Sequence, residues 1–169
     1  MPRAIRFNDR TNLTSGIARL GQRMQRQGTV AEQAHDGDTL IVSAVGDIGV
    51  RLLGIDTAEI SFLFPGTTEF VGIEDERWKG FLADPFDKKW PRFSKPLPQG
   101  LQQFLKARLH DDASENHHHH ARAAETALER EITADLKVMQ KTIDTFQMFM
   151  VFGYEIMDGY GRFLCFINR

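Results

Sequence analysis

Residues 29–57 place the strongest constraint on what this chain can fold into. Their apolar residues come in short blocks: Val30, then Leu40 and Val42, then Val50-Arg51-Leu52-Leu53-Gly54-Ile55. Asp36-Gly37 and Gly46-Asp47 fall between the blocks. Short β-branched runs punctuated by such dipeptides read as strands joined by tight turns, so this stretch is expected to be a three-strand meander. Residues 146–156 read as a long strand, Asp158-Gly159 as a turn, and residues 162–167 as a last strand. Strands therefore begin and end this part of the chain, with other material between them.

Two helices flank or interrupt the strands in this reading. Residues 15–27 are expected to be helical: Ser15 serves as N-cap, Ile17, Leu20 and Met24 share a face, and Gly28 ends the segment. Residues 1–28 then form a basic helical extension ahead of a domain spanning 29–169. From about 114 to 142, Ala124, Leu128, Ile132, Leu136, Met139 and Ile143 recur at helical spacing, which predicts a long amphipathic helix. Residues 60–113 are rich in Pro, Gly and aromatics and show no clean period until Leu101, Phe104, Leu105 and Leu109 indicate a helix. They read as a large insertion.

Composition narrows the function classes. The 169 residues fit one domain, or one domain with an insertion. The longest apolar stretch, residues 148–152, is too short to cross a bilayer, and no signal peptide is read at the start. The expectation is a protein with no membrane partner and an open cellular location. The single cysteine, Cys165, excludes an intrachain disulfide and a multi-cysteine metal site, and is expected in the core. The net charge of -2 conceals an asymmetry: residues 1–28 carry six arginines against one acid, and residues 76–110 carry eight basic groups against three acids. Such patches either steer a polyanion or are solvated faces.

The chemistry-bearing residues are ordinary singly and specific together. Asp36-Gly37-Asp38-Thr39-Leu40-Ile41-Val42 is followed by Val50-Arg51-Leu52-Leu53-Gly54-Ile55-Asp56-Thr57-Ala58-Glu59, and much later by Asp158-Gly159-Tyr160-Gly161-Arg162-Phe163-Leu164. Arg51 sits between Val50 and Leu52 and must point to the face opposite both. Over residues 29–60 and 146–167 this pattern resembles the staphylococcal nuclease (thermonuclease) family; the helix near 121–142 is a weaker match. The resemblance implies a mainly β fold, a five-stranded OB-type barrel with a long packed helix and an irregular insertion.

The residue types suit phosphodiester hydrolysis on their own terms. That reaction needs a nucleophilic water and neutralisation of the charge growing on the phosphate oxygens. Asp38 and Asp56, with the Thr57 carbonyl, offer hard oxygen donors for calcium, and two carboxylates also suit magnesium or manganese. Arg51 and Arg162 offer guanidinium forks for phosphate. The resemblance implies that Asp38, Asp56 and Thr57 bind the metal, that Glu59 activates or orients water, that Arg51 and Arg162 contact phosphate, and that Asp36 supports the metal site from behind. It implies DNA or RNA as substrate. Two other readings use the same residues: a barrel that binds nucleic acid or protein without cutting, and an assembly role for the basic and aromatic surfaces.

The chain departs from the family pattern in three places. Ala58 stands where the family carries proline, which frees a φ angle in the loop presenting Glu59. About 100 residues separate Glu59 from Arg162, far more than the family spends. The excess holds Phe62, Phe64, Phe70, Trp78, Phe81, Phe86, Trp90 and Phe93, which either stack bases or pack a small core. Lastly, the sequence ends at Arg169, where the family continues into helices that cover the barrel; either the sequence is truncated there or other elements cover the core, with the 15–27 helix and a partner chain as the candidates. The run His117–His120 reads as a surface feature.

Overall fold

The computed structural model describes residues 5–21, 30, 33–44, 47–91, 95–110 and 112–168. The chain forms two compact units, one of Met1–Thr57 with Ala123–Arg169 and the other of Ala58–Arg122.

The first unit is built on strands β1 (Ile5–Asn8), β2 (Leu13–Leu20), β3 (Thr39–Ser43) and β4 (Asp47–Leu52). The second unit contributes β5 (Ser61–Leu63), β6 (Phe70–Gly72), α1 (Glu76–Ala83) and α2 (Gln99–Lys106). Helix α3 (Ala113–Val138) leads back into the first unit, which ends with β7 (Gln147–Met157) and β8 (Phe163–Asn168).

Five strands close a barrel in the order β2-β3-β4-β8-β7, with β7 returning to β2 and β1 lying outside β2 as a hairpin arm. Every neighbouring pair is antiparallel except β4 and β8, which run parallel. The expected OB-type barrel with a long helix is thus present. Strand alternation fills it: Leu40 and Val42 of β3, Val50 of β4, Met148, Met150 and Phe152 of β7 and Cys165 of β8 all point inward and are buried. Ile132 of α3 joins this core, with Leu128 and Leu136 packed beside it, so the helical spacing marked the correct face. Cys165 is fully buried, and burial pushes its thiol up to about 11.

Three expectations about the elements are corrected. Residues 13–20 are a barrel strand and not part of a helix; residues 22–29 lie outside the described residues. Gly16, Ala18 and Leu20 alternate inward in β2 while Ile17 faces out at 51% exposure, so the Ile17–Leu20 spacing mimicked a helical face. The first barrel strand therefore lies inside the segment read as an extension. Among the described residues, 29–57 hold two strands where three were expected; ahead of them Ala34 bridges to Leu40 around the Asp36-Gly37-Asp38 turn, with Ile41 N donating to Gln33 O (2.8 Å) and His35 N to Thr39 O (2.9 Å). Helix α3 stops at Val138, short of residue 142. Gln140 adopts a left-handed φ of 52°, and Lys141 N donates to Leu136 O (2.9 Å) while Gln140 N donates to Lys137 O (3.2 Å). This is a Schellman cap with glutamine where glycine is usual, and it outranks the apolar periodicity that continues through Met139 and Ile143.

In the second unit the aromatics of the insertion make a core of their own. Phe64, Val71, Ile73, Trp78 and Phe81 are buried, with Phe62, Leu82 and Trp90 against them. The rings meet edge to face, with Phe64 and Trp78 centroids 4.9 Å apart and Phe81 and Trp90 5.4 Å apart. Trp78 Nε1 donates to the Val71 carbonyl at 3.2 Å. Asp75 caps α1 by accepting from Arg77 N at 2.9 Å. The insertion is therefore more regular than expected, and Phe93 lies outside the described residues.

Candidate active site

Asp36-Gly37-Asp38 carries the chain into β3 through a tight turn in which Asp38 N donates to Asp36 Oδ1 at 3.2 Å. Gly37 is required there for space. A Cβ at this position would lie 2.5 Å from Ala124 Cβ on α3 and 2.7 Å from Thr57 Cγ2. The turn is thus pressed between α3 and the segment after β4, and both of its aspartates are buried at 1% exposure.

Register brings the partners to Asp38. Thr39 pairs with Arg51 across β3 and β4, and Leu164 pairs with Arg51 across β4 and β8. Arg51 Nη2 lies 3.0 Å from Asp38 Oδ2 and 3.0 Å from Asp56 Oδ1. Thr57 N reaches Asp38 Oδ2 at 3.4 Å. On the other carboxylate oxygen, the Thr39 hydroxyl donates to Asp38 Oδ1 at 3.1 Å and accepts from Arg162 Nη1 at 3.0 Å. The stem of Arg162 passes over Gly49, where a Cβ would stand in ordinary van der Waals contact, 3.8 Å from Arg162 Cγ.

Arg162 is held from its own turn. Asp158 Oδ2 accepts from Arg162 Nε at 2.7 Å, while Asp158 Oδ1 accepts from the backbone N of Tyr160 and of Arg162, each at 2.9 Å. Gly161 takes the left-handed φ of 81° that this turn needs. Burial acts to raise the Asp158 carboxyl, but the hydrogen bonds from Arg162 and Tyr160 outweigh it and hold the group below its ordinary value.

The structure therefore gathers Asp36, Asp38, Arg51, Asp56, Thr57 and Arg162 in the barrel unit. Glu59 belongs to the second unit, where its backbone carbonyl accepts from His117 Nε2 at 2.9 Å. Thr39 and Asp158 carry polar roles that the sequence reading treated only as part of a turn. The signal for Asp158 was its place four residues before Arg162, within reach of that side chain across the turn.

The electrostatics leave the cluster acidic. Asp36, Asp38, Asp56 and Asp158 bring four carboxylates against the guanidinium groups of Arg51 and Arg162. Burial, and then the neighbouring Asp36 carboxylate, push the Asp38 carboxyl above its ordinary value, against the pull of Arg51 and Thr39. Buried like charges of this kind call for a cation or a proton. The carboxylates of Asp38 and Asp56 already converge on one cationic atom, Arg51 Nη2. Among the described residues no cluster of three or more His, Cys, Asp and Glu side chains stands close enough to hold a metal ion. A cation here would need the two carboxylates plus neutral oxygens, which fits a hard ion that keeps several waters. Comparison with protein-family models, curated proteins and solved structures finds no match.

Proposed function

We propose that the barrel unit is a calcium-dependent nuclease that hydrolyses phosphodiester bonds of DNA or RNA. One observation carries this reading. Arg162 and Asp38 share the hydroxyl of Thr39, across 123 sequence positions from Arg162 to Thr39, while Arg51 grips the same carboxylate from the other side. A buried acid flanked by two guanidinium groups at a barrel surface has little structural purpose, since an apolar trio of similar volume would pack at least as stably.

The resemblance and the clustering of these residues suggest their roles. Asp38 and Asp56, with the Thr57 carbonyl, would hold the cation, and Asp36 adds negative charge beside Asp38. Calcium, when bound, supplies positive charge to the phosphate oxygens and to a coordinated water. Arg51 and Arg162 bind the phosphate through charge-assisted bonds that strengthen as charge grows on it. Arg51 must give up a partner to do so. Its bond to Asp56 is the one that yields, because the Asp56 side chain is 92% exposed and exposed ion pairs contribute only about 0–1 kcal/mol. Asp158 keeps Arg162 aimed while its Nη1 exchanges Thr39 for phosphate. The resemblance to the staphylococcal nuclease family assigns Glu59, three residues past Asp56 in sequence, to orienting or deprotonating the water.

Fluorogenic DNA and RNA oligonucleotides, incubated with calcium, magnesium, manganese or a chelator, test the reading. Cleavage with calcium that the chelator abolishes is the expected result. Tight oligonucleotide binding without cleavage under any cation would replace the nuclease with a binding module.

A further inference from the structure

The second unit contains a cavity of about 960 Å³ that the proposed nuclease chemistry does not use. All the residues lining it lie within Ala58–Arg122. Ligand pockets occupy roughly 300–1,000 Å³, whereas voids in packed cores seldom exceed a water molecule.

The cavity is chemically mixed. Phe62, Ile73, Trp78 and Leu82 are its buried and half-buried apolar lining. Phe62 stands edge-on to Trp78 at 6.0 Å and to His117 at 5.4 Å. The Trp78 indole N–H is spent on the Val71 carbonyl, so tryptophan offers the pocket only its apolar body. His117 is anchored because its Nε2 donates to the Glu59 carbonyl, an atom that can only accept. Its exposed lining residues include Arg108, His110 and His120 with one acid, Asp112. Arg108 makes two contacts with Phe104: its Cζ lies 3.6 Å over the ring and its Nη1 donates to the carbonyl at 3.3 Å. Neither contact neutralises the guanidinium charge.

We propose that this pocket binds a small amphipathic anion, an apolar body bearing one carboxylate or phosphate head. The body fills the space over Phe62 and Trp78, and the head meets Arg108 and the imidazoles. This assignment is independent of the nuclease reading.

Isothermal titration with 2-naphthaleneacetate, 2-naphthyl phosphate, 2-naphthaleneethanol and inorganic phosphate tests it, with chelator present. One site per chain is expected for the two naphthyl anions, the tighter of them identifying the head, with weaker binding of the alcohol and none of inorganic phosphate. Arg108→Glu should weaken the anions by about tenfold or more, equivalent to ~1.4 kcal/mol, and leave the alcohol unchanged. Asn116→Trp, at an exposed helical position on the wall, should block both the anions and the alcohol while far-UV circular dichroism stays at wild type. Absence of naphthyl binding, equal affinity for anions and alcohol, or binding indifferent to both variants would overturn the proposal.

Discussion

Replacing Gly37 with alanine tests how the acidic turn is held. The new Cβ would stand 2.5 Å from Ala124 Cβ, 2.7 Å from Thr57 Cγ2 and 3.0 Å from Ala124 C. Carbon atoms rest at about 3.5–4.0 Å, so two contacts are short by roughly 1 Å. Ala124 Cβ cannot swing away, because it is fixed to the backbone of α3. Either the turn or the helix must move. Overpacking of this kind costs about 1–3 kcal/mol. A displacement of ~1 Å at Asp36 and Asp38 is also enough to lower a cleavage rate by about 10²-fold. Ala124→Gly removes the nearest of the three obstacles, while costing about 1 kcal/mol by itself in helix propensity. Urea unfolding of wild type, both single variants and the double variant completes the cycle. Gly37→Ala is expected to be markedly less destabilising in the Ala124→Gly background than in wild type. Equal cost in the two backgrounds, or no cost in wild type, would refute the packing of the turn against α3.

Further outcomes are expected elsewhere in the barrel unit. Asp158 has its folded pKa held down, so its contribution to stability is complete above the unfolded carboxyl range and fades as pH falls through the folded pKa. Asp158→Asn should therefore destabilise the protein by roughly 1–3 kcal/mol at pH 7, with the gap to wild type closing on acidification; a gap independent of pH in chemical denaturation would contradict the assigned bonds. Gln140→Gly relieves a left-handed residue at the end of α3 and should raise stability by about 1 kcal/mol, read as a higher urea midpoint. The Cys165 thiol, buried and shifted to about 11, should resist a disulfide reagent at pH 8 until denaturant is added; prompt labelling of the native protein would show that the barrel opens there.

What the sequence made legible follows from which signals had no competitor. β3, β4, β7 and β8 were legible because Leu40, Val42, Val50, Met148, Met150 and Phe152 alternate inward with strong side chains. α3 was legible from Leu128, Ile132 and Leu136, but its end was not, since Gln140 carries no special cue for a left-handed cap. β2 escaped because Gly16 and Ala18 fill its inward positions with almost no side chain, leaving outward Ile17 to suggest a helix. At the site, Asp38, Arg51 and Arg162 were singled out because the sequence around them resembles the staphylococcal nuclease family. The Thr39 hydroxyl that joins Asp38 to Arg162 was not, because the link depends on how β8 returns beside β4. Gly37 read as a turn former, whereas its neighbours show that it is needed for close approach to Ala124.

The proposed nuclease function requires Arg162 to act on phosphate and not merely to brace the turn at residues 158–162. Single-turnover cleavage of single-stranded DNA in calcium, compared between wild type and Arg162→Ala with circular dichroism on both, tests this most directly. The expected result is two folded proteins whose rates differ by about 10²–10³, the loss typical of one transition-state charge contact. Equal rates, or a wild type that leaves both this DNA and a matching RNA intact, would contradict it.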